Sequence, residues 1–409
     1  RGPNSVVWGS QAIGGVVNVR TEVPTNDLAA SASAQFGYQG TAEARANVSG
    51  TSGPIAGSLG ASYFRTNGVS ALAAGTERDG YRNFAANGKL AVTLNAALSL
   101  DFRAYFTKGR AEFDDPFGAT PDTFPETRNR QFVGYAGVNA RFWDGRFRNR
   151  LAYTRTDLHR VGTEPNVPFS FNINTLKGKI DRVEYQGSVD LMDALTVVFG
   201  IEHERTFAST FFPAGGGSGP DTARFSVTSE YGQVIVRPVE GLTLAGGVRH
   251  DDFNLYGSQT TFGANFAFTP NTGGTIFRGT YAEGFRAPTL TESTLPFGNP
   301  ALKPETAKSF DLGLEQHLMD GAVRASATYF QRKSDNQIAF SFLTFQSENI
   351  AKVRSRGLEL ELEVRPTRTL KLMAGYSLVD ATSRTADATF GNRLARRPKR
   401  KVLIFLPLL

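Results

Sequence analysis

Leu358-Glu359-Leu360-Glu361-Leu362-Glu363-Val364-Arg365 switches between apolar and charged residues at every step. A strand points successive side chains to opposite faces, so one face here is Leu358, Leu360, Leu362 and Val364 and the other is Glu359, Glu361, Glu363 and Arg365. The same period of two recurs along the chain. Leu98, Leu100, Phe102, Ala104 and Phe106 oppose Ser99, Asp101, Arg103 and Thr107, and Phe310, Leu312 and Leu314 oppose Asp311, Gly313 and Glu315. About eighteen such segments are expected.

The connections between them carry the topology. Short turns are expected at Gly50–Pro54, Leu94–Ala97, Trp143–Gly145, Met192–Ala194, Pro238–Gly241, Pro270–Gly274, Met319–Gly321 and Pro366–Arg368, where Gly, Asn, Asp and Pro supply hairpin chemistry. Between them long loops are expected at Arg65–Arg82, Lys108–Arg130, Leu158–Thr175, Phe207–Ala223, Phe285–Thr306, Lys333–Gln346 and Ala381–Lys399. Strict alternation of short and long connections belongs to an outer-membrane barrel with short periplasmic turns and long external loops. A soluble sandwich has no reason to keep that order. The fold class read from the sequence is therefore all-β, a large antiparallel transmembrane β-barrel.

Composition fits this reading. The chain has 409 residues, 40% of them hydrophobic, and a mean hydropathy of −0.26. No segment approaches the run of about 20 apolar residues that a membrane helix needs, but barrel strands carry polar residues at every second position. Phe 32 against Trp 2 suits aromatic girdles, and the lack of Cys removes disulfides, thiolate metal sites and iron–sulfur clusters. The net charge of +7 is spread along strands and loops, so nucleic acid is not an expected partner. The segment Val402–Leu409 is continuously apolar and departs from the alternation. It is expected to mark a truncation or an out-of-frame end.

Enzymatic readings are poor. His159, His203, His250 and His317 are scattered without metal-ligand spacing. No nucleophile motif stands out, no metal site is assigned and no cofactor is expected. An outer-membrane hydrolase and a porin-like channel without energised transport remain the alternative classes.

The N-terminal stretch Arg1-Gly2-Pro3-Asn4-Ser5-Val6-Val7-Trp8-Gly9-Ser10-Gln11-Ala12-Ile13-Gly14-Gly15-Val16-Val17-Asn18-Val19 resembles the end of the plug domain of TonB-dependent outer-membrane receptors. Phe285-Arg286-Ala287-Pro288 followed by Asn299-Pro300-Ala301-Leu302-Lys303-Pro304-Glu305 resembles a loop of the same family, and Asn349 through Arg356-Gly357-Leu358-Glu359 resembles one of its strands. The resemblance implies a barrel of about 22 strands, of which about 18 are expected here, with residues 1–24 the end of the plug and 28–409 a C-terminally incomplete barrel. It implies high-affinity uptake of a ferric siderophore or cobalamin, driven through the TonB complex by a segment upstream of Arg1, in the outer membrane among lipid and lipopolysaccharide. It also implies that Arg1 pairs with Asp311 and Glu359, which the alternation turns inward.

Ligand-binding candidates lie in the loops. Phe113, Phe117, Phe169, Phe171, Phe211, Phe212, Phe340, Phe342 and Phe345 offer flat faces to catecholate rings or a corrin edge; girdle and loop packing are the competing roles. Arg65, Arg78 and Arg82, with Arg110 and Arg128, could attract an anionic complex, or serve loop solvation or lipopolysaccharide contact instead. Asp114, Asp115 and Asp122 offer oxygen ligands without a dedicated calcium-loop spacing.

Overall fold

The computed structural model describes the chain apart from residues 1–5, 7, 8, 10, 17–23, 71, 73, 74, 76, 115–124, 165–171, 214–218, 368, 388 and 406–409. Eighteen strands form one antiparallel sheet. They are β1 (Ala29–Gly37), β2 (Thr41–Ser52), β3 (Ile55–Thr66), β4 (Tyr81–Thr93), β5 (Leu98–Glu112), β6 (Glu126–Phe142), β7 (Phe147–Thr163), β8 (Asn174–Met192) and β9 (Leu195–Phe211). Then follow β10 (Asp221–Val239), β11 (Leu242–Phe253), β12 (Gly257–Phe268), β13 (Thr275–Arg286), β14 (Glu305–Leu318), β15 (Val323–Ser341), β16 (Gln346–Val364), β17 (Leu372–Ser383) and β18 (Arg400–Phe405). Each strand pairs with its neighbours in the chain. Among the described residues no register joins β18 to β1. Among the described residues no helix is long and apolar enough to cross a membrane.

The alternation sorts the two faces as the sequence requires. Phe310, Leu312 and Leu314 are each more than 40% exposed, while Glu315 on the opposite face is 8% exposed. The exposed face is a lipid-facing band, and the covered face looks into the lumen. On β16, Leu360 and Leu362 face outward at 40% and 44% exposure. Outward apolar side chains need lipid, because that much exposed apolar surface in water would drive association.

The short turns fall where expected. Trp143, Asp144, Met319 and Asp320 take positive φ in two of them, as tight hairpins demand. One long-loop expectation needs correction, and with it the strict alternation of connections. Lys333–Gln346 is mostly strand, since β15 runs to Ser341 and β16 starts at Gln346. Its polar residues look like a loop, but Gln337–Ser341 pairs across with Gln346–Ala351 as a hairpin. A register shift between Ser334 and Gln337, with Asn336 at φ 56, absorbs the local mismatch. The connections β1–β2 and β11–β12 are short as well, so long and short connections do not alternate without exception. At the apolar end only Val402–Phe405 lies among the described residues. Arg400–Phe405 pairs in register with β17 as an ordinary strand, and its side chains are exposed on both faces.

Candidate ligand-binding site

Val6 and Gly9 lie on the lumen wall. Gly247 of β11 and Gly263 of β12 are direct cross-strand partners. Without side chains there, the wall is smooth, and the buried Val6 fits against it: a Cβ on Gly247 would stand 3.0 Å from Val6 Cγ1, and one on Gly263 3.3 Å from Val6 Cγ2. Gly9 takes φ 83 and passes over the Arg249 guanidinium, where a Cβ would come within 3.4 Å of Nη2. The positive φ is what favours glycine at Gly9.

Beneath this contact runs an inward polar network. Arg249 is 2% exposed and pairs with Glu202 on β9 and, at 2.9 Å, with Asp251. Ser229 donates to Asp251 at 2.6 Å. The Arg249 guanidinium stands 5.6 Å from the centre of the Tyr231 ring. Arg182–Glu204 at 2.5 Å and Arg150–Glu184 at 2.9 Å extend the pattern to β7 and β8. A guanidinium that bridges two carboxylates through its fork keeps buried charge compensated.

Above the network, a loop folds back onto the wall. Phe285 and Ala287, each 1% exposed, pack with Val227 and Phe253, and the Phe285 and Phe253 rings meet edge to face at 5.8 Å. A one-turn helix, α1 (Leu290–Ser293), starts from a capping box between Thr289 and Glu292. Leu290 and Leu295 bury against Ala223. Arg286 reaches Glu292 at 2.8 Å and Glu305 at 2.8 Å, and Glu305 also accepts from the Ile338 amide at 2.7 Å. Asn349 receives the Lys303 amide at 2.9 Å and donates to the carbonyls of Lys303 and Asn336. Arg286, Glu305 and Asn349, which the sequence pattern singled out, are therefore struts of the external rim. In this loop, burial alone would push the Glu292 carboxyl up, but Arg286 and the Thr289 amide hold it below the usual carboxylate range.

Three of the expected aromatics come together at the tip of the β15–β16 hairpin. Phe340 meets Phe342 at 5.4 Å and Phe345 at 6.4 Å, both edge to face. It also meets Phe297 of the folded-back loop at 6.5 Å. Phe297 was missed in the sequence, since nothing in its spacing ties it to residues more than forty positions away. All four remain exposed.

The other candidates do not join this cluster. Phe113 follows β5, half-buried, with its amide on Pro125. Phe211 ends β9 and Phe212 follows it, both half-buried. Arg78 is exposed in the loop after β3. Arg65 and Arg82 are cross-strand partners two positions from the outward Tyr63 and Phe84, so they face away from the lumen. Phe117, Phe169, Phe171, Asp115, Asp122 and Arg1 lie outside the described residues. Asp311 and Glu359 share the inward face, through Phe330 and Thr328 of β15. Asp114 is brought together with Glu77 and Asp79, their ligand atoms within 4.8 Å of one another, a grouping the sequence spacing did not show. Its Oδ2 accepts from the Leu72 amide at 2.7 Å and from Ser70 at 3.2 Å, tying two external loops. The histidines stay apart; His203, His250 and His317 each bond a different neighbour.

Residues 25–406 match the model of the TonB dependent receptor-like β-barrel. The chain belongs to the TonB-dependent receptor β-barrel family. Among curated proteins, this TonB-dependent receptor barrel is 25% identical to the vitamin B12 transporter BtuB of Photobacterium profundum, over 98% of the chain and 64% of that protein. It is 24% identical to BtuB of Vibrio vulnificus, over 88% of the chain and 58% of that protein. The chain thus spans about three fifths of the length of these relatives. Among solved structures, it superposes on the siderophore receptor PirA from Pseudomonas aeruginosa with a TM-score of 0.72 at 21% identity, covering 94% of this chain and 71% of that one. The ferripyoverdine receptor of the same organism gives 0.76 at 14% identity, covering 99% and 62%. These likenesses establish the fold, and the family places the barrel in the outer membrane.

Proposed function

We propose that this chain, as part of a receptor, binds a ferric siderophore or cobalamin at the external rim and admits it through the lumen with energy from the TonB complex. The observation that carries the reading is the exposed aromatic cluster of Phe297, Phe340, Phe342 and Phe345 on a rim braced by Arg286, Glu305 and Asn349. Four ring faces on a braced support suit a flat or aromatic-bearing ligand. Residues 1–24 act as the end of the plug and 28–409 as the barrel. The contact of Val6 with β11–β12 supports this division and speaks against an open porin-like channel. Arg1 pairing with Asp311 and Glu359 is part of the same reading: two inward carboxylates favour a shared guanidinium.

A ligand panel on the full-length receptor tests it. Ferric siderophores and cyanocobalamin are titrated separately while intrinsic fluorescence is followed. Saturable quenching by one class identifies the cargo. No response to either class rejects the reading.

A further inference from the structure

Along the inward face of the wall, arginines find carboxylate partners. Arg103 pairs with Asp101, Arg150 with Glu184, Arg182 with Glu204, Arg249 with Glu202 and Asp251, and both Arg278 and Arg324 with Glu315. Arg332 departs from this. It stands midway along β15, half-buried, on the inward face with Phe330 and Ser334. Among the described residues its one hydrogen bond runs from Nε to Ser334 Oγ at 3.2 Å, and no carboxylate lies within ion-pair distance. Glu305 acts on it from a distance, and that carboxylate is already taken by Arg286 and the Ile338 amide. A desolvated guanidinium without a counter-charge is costly.

Three serines surround it. Ser309 of β14 and Ser355 of β16 are its direct cross-strand partners, which sets their Cβ atoms about 4.5–5.5 Å from that of Arg332. Ser334 follows on the same face of β15. Ser309 is 8% exposed, and its Oγ has no hydrogen-bond partner. A buried hydroxyl left unpaired lowers stability, so alanine would serve the wall better there. Ala307 faces Ser334 and Ala381 faces Ser355, and both are small enough to leave the surface open around the guanidinium. The result is a shallow seat of donors with no negative group: the Nη1 and Nη2 ends of Arg332 and three hydroxyls.

We propose that this seat binds a phosphate group carried by the cargo, so that the receptor imports a phosphorylated compound. A carboxylate is satisfied by the guanidinium fork alone. A phosphate monoester has three strong acceptor oxygens, enough for the fork and for hydroxyls on both sides of it. The seat lies inside the lumen, well below Phe340 on the same strand. The proposal rests on the reading that cargo passes through the lumen, but not on the aromatic cluster at the rim.

The test uses the full-length receptor in detergent, titrated with phenyl phosphate and read by phosphorus NMR, with benzoate and inorganic phosphate as competitors. Wild type is expected to bind phenyl phosphate saturably. Arg332→Gln should weaken binding about 30-fold, since hydrogen bonds to a charged group are lost. Arg332→Lys, which keeps the charge without the fork, should lose about fivefold. Ser309→Ala should also lose about fivefold, while its melting temperature equals or exceeds that of wild type. No saturable binding by wild type overturns the proposal, as does unchanged affinity in Arg332→Gln. Benzoate bound as tightly as phenyl phosphate overturns the assignment to phosphate. Inorganic phosphate bound more tightly than phenyl phosphate marks a free-ion site and overturns it too. If Arg332→Gln does not fold, Ser309→Ala decides, and unchanged affinity there rejects the seat. A cargo response in the ligand panel without phenyl phosphate binding would keep the proposed function and reject this site alone.

Discussion

Gly247 and Gly263 face each other across the β11–β12 ladder, and the gap left by their absent side chains is where Val6 rests. A cross-strand glycine pair in a strand interior weakens the sheet. Here it gives Val6 a seat on the lumen wall.

Gly263→Leu is expected to expel Val6 from that seat while leaving the sheet intact. The nearest atoms to a Cβ at this position are Val6 Cγ2, at 3.3 Å, and then the Tyr281 carbonyl and Val6 Cβ, at 3.9 Å. In the intact receptor, the variant should admit large antibiotics that wild type excludes. Unchanged antibiotic sensitivity would show that this contact does not hold the plug. Glu359→Ala should raise entry in the same assay if Arg1 is held there.

Arg249→Met should be among the most destabilising single changes in the wall. It strands Glu202 and Asp251 without their shared cation. Removing one partner of a buried ion pair costs about 3–5 kcal/mol. Urea unfolding in detergent or vesicles measures this. Adding Glu202→Gln and Asp251→Asn to Arg249→Met should recover much of the loss, because no orphan charge then remains.

The folded-back loop should loosen in acid. The Glu292 carboxyl is held low by Arg286 and the Thr289 amide, against the push of burial. A carboxyl with a depressed folded pKa stabilises fully above its unfolded pKa and loses that contribution as pH falls through the folded one. Glu292→Gln should therefore lower the melting temperature at neutral pH and make no difference in strong acid. The group is only partly buried, so the contribution at neutral pH is at most about 1 kcal/mol. A gap between wild type and variant that widens on acidification would contradict this.

Phe340 touches all three other rings of the rim cluster. Phe340→Ala should weaken ligand binding about tenfold, as loss of a well-placed aromatic contact does. The check is the dissociation constant for whichever cargo the panel identifies. An unaltered constant would move the binding site away from this hairpin.

The period of two in Leu358–Arg365 fixed the face of every residue there, because a strand has only two faces to offer. Turns were legible for a similar reason. Asp144-Gly145 and Asp320-Gly321 carry their backbone geometry in their residue types. Lys333–Gln346 was misread because its polar run has the composition of a loop, and only pairing partners reveal a hairpin there. The meeting of Phe297 with Phe340 has no local signal at all, since two loops without period were brought together by the bonds of Asn299, Lys303 and Asn349. The alignment of the loop-base arginines was half legible. Arg65, Arg82, Arg110 and Arg128 stood out singly, but their alignment depends on register, which is a property of four strands together.

Each described strand bonds only to the strand before and after it in the chain. The wall is therefore buildable in the order in which it is translated. A newly arriving hairpin always finds its template at the growing margin, and from β2 to β17 both partners of each strand lie one connection away. Loop-closure entropy is then paid in small instalments, one connection at a time. A chain of this size can travel extended across the periplasm and take up its final shape progressively where lipid begins.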